Sequence, residues 1–319
     1  MDFYRNVKNA SKRVQKYIAT TKLIYSKEFS SISENKVWFK LENTQVTGSF
    51  KIRGALNKLL SLSQEEKKRG VVTASTGNHG LAVAYASDKL NILCEIYVPK
   101  NASVSKIEKI KELGAKLIYF GKDCLEAERK AREVSNQKKL VFISPYNDEQ
   151  VIIGQGTVAI ELVKQIDKLD VLIVSVGGGG LISGISKYIK SIWPDIKIIG
   201  CSPQNSPVMI SSINAGKILD LESDPTISDG TAGGLEPGSI TFPICCEFID
   251  QNILVKENEI KKAMQLYYNL ENQVIEGAAG VAVATFLKIK DDLLDKKVGI
   301  ILCGGNIDSK LFYSISNGV

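Results

Sequence analysis

The chain has 319 residues, of which 44% are apolar, 24% charged and 7% aromatic; this is enough to bury a core and divide it in two, and it excludes disorder, a collagen-like fibre and a small disulfide scaffold. The 41 Lys and Arg against 35 Asp and Glu leave a formal charge of +6, too weak a bias over this length to argue for nucleic acid. A single histidine, His79, excludes a three-histidine metal site and a paired HExxH helix.

The first thirty residues scatter Lys8, Lys12, Arg13 and Lys16 among apolar positions, without the unbroken apolar core and cleavage site of a signal peptide. From residue 37 onward short β-branched runs predict strands at 37–42, 71–74, 92–98, 116–120, 171–176, 196–201 and 298–303. Helical patterns fit between most of them: one from near Asn78, charged amphipathic ones over 103–113 and 123–137, and one over Val151–Ile166. Repeated strand–helix units imply parallel sheets. Seven strands exceed one small sheet, and Pro145 with Tyr146, Asn147 and Asp148 marks a hinge, so the expectation is α/β: two open parallel-sheet domains with a cleft between. Residues 220–243, rich in Gly, Pro, Ser and Thr, read as a long ordered loop. No run of about 18 apolar residues offers a membrane span. The six cysteines form no CxxC pair and read as reduced thiols of a cytoplasmic protein.

Four segments carry groups able to do chemistry. In VSVGGGGLISGI, Gly177 to Gly180 stand between a buried strand and a helix beginning near Leu181. Glycine backbone can close on a phosphate that N–H groups and the positive helix end attract; tight strand–helix packing is the alternative. Gly179 and Gly184 have the outer spacing of a Walker loop and Ser186 meets its Ser or Thr position, but Ile185 stands where the phosphate-binding Lys is required. Frames of GxGxxG starting at Gly177 or Gly178 meet Ile182 or Ser183. Neither ATP nor NAD is favoured, and a cofactor with one phosphate remains. In KLENTQVTGSFKIRGALNKL a strand ends near Glu42 and a helix starts close to Ser49. Lys51 then lies in a first turn, where the dipole and Lys40 or Arg53 lower its ammonium pKa and favour a nucleophilic amine. Most such lysines are solvated surface charges, so position alone does not single it out. In VVTASTGNHGLAVAYA, Ser75, Thr76 and Asn78 open a helix that receives a carboxylate or simply caps itself. In VGIILCGGNID, Cys303 ends a buried strand at a sheet edge facing the cleft, or is an inert buried thiol.

In this order the motifs TGSFKIRGA (47–55), STGNHG (75–80), GQGT (154–157), SVGGGGL (175–181), EGAAGVA (276–282) and CGGNID (303–308) resemble the pyridoxal-phosphate dependent serine/threonine dehydratase and serine racemase family of fold type II. The resemblance runs from about residue 38 to the end. It implies a large cofactor-binding domain of residues 1–62 and 149–319 and a small, mobile domain of residues 63–148. It implies that Lys51 is the catalytic lysine bound to pyridoxal 5′-phosphate, with Phe50 beside the cofactor and Asn78 bonding its 3′-oxygen. Gly177, Gly178, Gly179, Gly180 and Leu181 would bind the phosphate, Glu276 would lie near the ring, and Cys303 would meet the pyridine nitrogen. Ser75, Thr76, Asn78 and His79 would surround the substrate carboxylate. Lys51, displaced by a substrate amine, would take the Cα proton, and loss of a β-hydroxyl would lead to a 2-oxo acid and ammonia.

Three departures refine the expectation. The family usually has Ser where this chain has Cys303; a neutral thiol, with a reference pKa of about 8.5, cannot hold the ring nitrogen protonated, which favours elimination over transamination. Serine racemases of the family carry Ser at the Thr76 position and many threonine dehydratases Ala, so Thr76 is a second catalytic candidate, the acid/base of a side racemisation. Metal-activated members have two acids where this chain has Ser202 and, approximately, Val208, so no metal is expected there. The sequence runs to Val319, shortly past the CGGNID motif, so feedback by isoleucine through a regulatory C-terminal domain is not expected. The expected function is an ammonia-lyase acting on L-threonine, L-serine or a relative such as a hydroxyaspartate, as a homodimer. An amino acid (serine or aspartate) racemase is the alternative; a β-replacement synthase and a non-catalytic ligand-binding relic fit the motifs less well.

Overall fold

The computed structural model describes residues 2–102 and 104–317; position 103, where one helix was expected to begin, and the last two residues lie outside them. Among the described residues ten strands form two sheets. The strands are β1 (Leu23–Ser26), β2 (Lys36–Lys40), β3 (Val71–Ala74), β4 (Cys94–Val98), β5 (Lys116–Tyr119), β6 (Val141–Phe142), β7 (Val171–Ser175), β8 (Lys197–Pro203), β9 (Gln251–Val255) and β10 (Lys297–Ile301). One sheet has the order β1-β2-β10-β7-β8-β9 and the other β5-β4-β3-β6. Only β1 runs antiparallel, pairing Leu23 with Lys40 and Ser26 with Val37. All seven expected strands are present. The three others are short or mixed in polarity: LIYS, VF and QNILV.

Every residue of central β7 is buried, as a parallel strand covered on both faces must be. Much of its cover is the Gly277–Ile289 helix, apolar on nearly all sides. The Lys51–Ser61 helix buries Ile52, Ala55, Leu56 and Leu59, an i, i+3, i+4, i+7 stripe, and packs against the Asn78–Leu90 and Glu149–Gln155 helices. It therefore shares one core cluster with β3 and β4 while its N-terminus sits beside β10.

Two expectations change. The helix expected over Val151–Ile166 is two helices, Glu149–Gln155 and Thr157–Gln165. Thr157 Oγ1 takes the Gly154 carbonyl at 2.7 Å, and Ala159 N bonds Gly156 O three residues back, so the ladder tightens at Gly156. The long loop ends at Ile240, where the Thr241–Phe248 helix begins.

Candidate active site

The Lys51 helix starts where the end of β10 passes it. Ser49 and Gly304 form an isolated antiparallel bridge, and Phe50 N donates to Cys303 O at 3.0 Å. Cys303 lies two residues beyond β10 and is buried. Lys51 Nζ donates to Pro145 O at 2.9 Å and lies 5.2 Å from the centre of the Phe50 ring. Burial lowers the Lys51 ammonium from 10.5 to about 8, against the opposing pull of Cys303 and Glu276. Lys40 and Arg53, expected to lower it, are occupied elsewhere. Arg53 Nε meets Glu42 at 2.7 Å and its Nη1 meets Glu161 at 2.7 Å, while Lys40 Nζ meets Glu161 at 2.6 Å. The two cations and two anions form a network that leaves little field at Lys51. Burial pushes the Cys303 thiol well up, and Glu276 adds to the effect, so the thiol is neutral.

At the C-terminal end of β7 the chain passes through Gly177 to Gly179 into the Gly180–Ile189 helix. Gly179 has φ +82°, a left-handed conformation that favours glycine. A Cβ on Gly178 would lie 2.3 Å from the Tyr146 ring, so that aromatic packs on the turn itself. N–H groups of a first helical turn lack intrahelical acceptors, and all four glycines and Leu181 line the same cavity as Lys51, about 620 Å³ in volume.

The loop before the Asn78–Leu90 helix closes another side of the cavity. Ser75 Oγ accepts from Gly77 N at 3.1 Å, Thr76 lines the wall, and Asn78 Nδ2 donates to both carboxylate oxygens of Glu276 at 2.9 Å. His79 is buried, with Nε2 2.9 Å from Ile143 O; the carbonyl can only accept, so Nε2 carries the proton. Burial, followed by the Lys51 charge, lowers His79 to about 3, and the ring is neutral. Glu276 is the residue before the Gly277–Ile289 helix and is also buried. Burial raises its carboxyl to about 7, with Asp229 adding to the rise and the Asn78 and Asn306 hydrogen bonds opposing it. Every residue expected at the site therefore lines one cavity: Phe50, Lys51, Ser75, Thr76, Asn78, His79, Gly177 to Leu181, Glu276 and Cys303.

Further residues on the cavity wall include Tyr146 and Thr231, which fall where the sequence was expected to shape the substrate side-chain pocket (230–239 and near Tyr146), and Asp229 and Asn306, which were given no role from sequence. Asn306 stood in the CGGNID motif and Tyr146 beside the expected hinge, but nothing local in the sequence shows where their side chains reach. Among the described residues no three His, Cys, Asp or Glu side chains gather as a metal site, and no helix is long and apolar enough to cross a membrane.

A buried amine with a lowered pKa, a glycine turn opening a helix and a neutral thiol on one cavity wall fit an aldehyde that carries a phosphate ester. An amine can bind such a carbonyl reversibly, a helix N-terminus suits the dianion, and a neutral thiol adds no charge to the wall. Residues 14–304 match the family described as pyridoxal-phosphate dependent enzyme. The chain is 41% identical over 312 residues to the L-threonine ammonia-lyase of Thermotoga maritima, covering 98% of this chain and 77% of that one. It is 40% identical over 318 residues to the serine racemase of Dictyostelium discoideum, covering 98% and 97%. The solved structure of the processed form of threonine deaminase isoform 2 from Solanum lycopersicum superposes with a TM-score of 0.94 at 31% identity, covering 99% of this chain and 92% of that one. With its lysine, glycine turn and two α/β sheets arranged as they are, the chain belongs to the pyridoxal-phosphate dependent enzymes and has their fold type II architecture.

Proposed function

We propose that the chain is an ammonia-lyase that converts a β-hydroxy amino acid such as L-threonine or L-serine to a 2-oxo acid and ammonia. The observation that carries this reading is the pairing of a buried Lys51 amine lowered to about 8 with a buried neutral Cys303 thiol. Similarity over 98% of the chain to proteins named L-threonine ammonia-lyase and serine racemase supports it.

Pyridoxal phosphate, when bound, supplies an electron sink that makes the substrate Cα–H acidic. Lys51 would hold the cofactor aldehyde and, once the substrate amine has replaced it, accept the Cα proton; its lowered pKa leaves a useful fraction of free amine near neutral pH. The amides of Gly177 to Leu181 would hold the phosphate, Asn78 would donate to the 3′-oxygen, and Phe50 and Glu276 would flank the ring. Ser75, Thr76, Asn78 and the first N–H groups of their helix would orient the substrate carboxylate. His79 would shape that wall as a neutral ring, since its one N–H is given to Ile143. Cys303 would face the ring nitrogen without protonating it. By adding no charge there, Cys303 would suit the site to expulsion of a β-hydroxyl more than to reactions that must store negative charge.

The hydroxyl of Thr76 on the cavity wall favours one second reading, a racemase activity in which Thr76 handles the proton on the opposite face. A purified holoenzyme given both enantiomers of a panel of β-hydroxy amino acids should release 2-oxo acid and ammonia faster than it inverts configuration. Inversion without 2-oxo acid would replace the lyase reading with the racemase. Residues 63–148 would close as a small unit over residues 1–62 and 149–319, and the enzyme would work as a cytoplasmic homodimer; light scattering tests the dimer directly.

A further inference from the structure

We propose that Asn306 is a positioning residue that fixes which way the Asn78 amide points, so that an N–H rather than a carbonyl faces the cofactor. The inference rests on the reading that Asn78 bonds the 3′-oxygen of pyridoxal phosphate.

The polarity of the network follows from one backbone carbonyl. Thr47 C=O can only accept, so the Asn306 group facing it at 2.8 Å is the amide nitrogen. The same nitrogen donates to Asn78 Oδ1 at 2.7 Å. Asn78 must then turn its own nitrogen the other way, toward Glu276. The two ends of an amide have nearly the same shape, and here the hydrogen bonds alone decide the orientation.

Asn78 Nδ2 stands 2.9 Å from both Glu276 oxygens. Carboxylate oxygens about 2.2 Å apart subtend about 45° at that distance, whereas the two N–H bonds of an amide diverge by about 120°. One N–H therefore straddles both oxygens, and the other is left for the cavity that Asn78 lines. Asn306 is itself held in place. Its backbone N donates to Glu276 Oε2 at 3.1 Å. Gly48 packs so closely on its amide that a Cβ there would lie 2.6 Å from Asn306 Oδ1. The residue thus joins the turn before Lys51, the helix that begins at Asn78, and Glu276.

An aspartate at 306 has no donor for Thr47 O or for Asn78 Oδ1. Asn78 would turn over to donate to it, which presents Oδ1 to the cofactor and to Glu276, whose raised carboxyl would keep its proton and donate it to Oδ1. The test uses the full-length chain, stripped of cofactor and titrated with pyridoxal phosphate, with fluorescence quenching giving Kd and absorbance reporting the environment of the bound cofactor. Asn78→Ala should raise Kd, and Asn306→Asp should raise it by about tenfold or more, the scale of one buried polar group left unpaired. In the Asn78→Ala background Asn306→Asp should change Kd by less than about twofold, because coupled residues are not additive. The absorbance band should move in Asn306→Asp and not move further in the double variant. Asn306→Ala repeats the cycle with a smaller step if the aspartate variant does not fold. Wild-type Kd in both Asn306 variants, or effects that persist in full without the Asn78 amide, would overturn the positioning role alone. Normal cofactor binding by Asn78→Ala would overturn both this role and the reading of Asn78 beneath it.

Discussion

Replacing Lys51 with Met should make the cofactor-free protein more stable at neutral pH while abolishing catalysis. Burial lowers the Lys51 ammonium from 10.5 to about 8, and at about 1.4 kcal/mol per pH unit, carrying that charge below pH 8 destabilises the fold by about 3 kcal/mol. Methionine removes the charge, keeps a similar apolar stem and loses the hydrogen bond to Pro145 O, which returns about 1 kcal/mol. The net gain is about 2 kcal/mol. With an unfolding entropy of about 2.1 cal/mol/K per residue, a chain of 319 residues should melt about 3 °C higher. The unfolded chain keeps the Lys51 proton up to 10.5 and the folded chain only to about 8. Wild-type stability from this group therefore rises between those pH values, and the advantage of the variant disappears across the same window. Thermal or urea melts of both cofactor-free proteins at pH 7 and pH 10 measure the difference. A Met variant less stable than wild type at pH 7, or a difference that does not change with pH, would refute the reasoning.

Arg53→Met leaves Glu42 and Glu161 with Lys40 as their only cation in the network; it should cost about 3–5 kcal/mol in urea melts, and adding Glu42→Gln should recover part of the loss. Gly178→Ala places a Cβ 2.3 Å from the Tyr146 ring, so it should destabilise the protein by about 1–3 kcal/mol and weaken pyridoxal phosphate binding in a fluorescence titration. Glu276 is raised from 4.5 to about 7, so the folded chain holds a proton that the unfolded chain has released, and stability from this group falls as pH rises through that window. Melts at pH 5 and pH 8 should show that Glu276→Gln has lost this fall.

The chemistry of the site was legible where it is local. The glycine turn and the STGNHG loop each follow a β-branched run and open a helix, whereas Lys51 was not singled out by its position and was assigned only through the family resemblance of the TGSFKIRGA motif. The strand LIYS (23–26) was not legible, because it pairs antiparallel at a sheet edge and mixes polar with apolar positions. Neither was VF (141–142), too short to show a period. The break at Gly156 hides inside an apolar helical pattern, since it arises from a Thr157 hydroxyl taking a main-chain acceptor. The expectation that Arg53 acts on Lys51 failed because its counter-charge Glu161 lies 108 positions away. Asn306 shows the same limit. Its motif was visible, but its partners Thr47 and Asn78 are 259 and 228 positions distant, and no local pattern encodes that meeting.

The central claim is that one amine, at Lys51, binds the cofactor covalently. Reducing the holoenzyme with borohydride and mapping the modified peptide by mass spectrometry tests it most directly. The account predicts a single pyridoxyl label on Lys51 that is absent from Lys51→Met. A label on any other lysine, or none at all in a protein that binds pyridoxal phosphate, would contradict it.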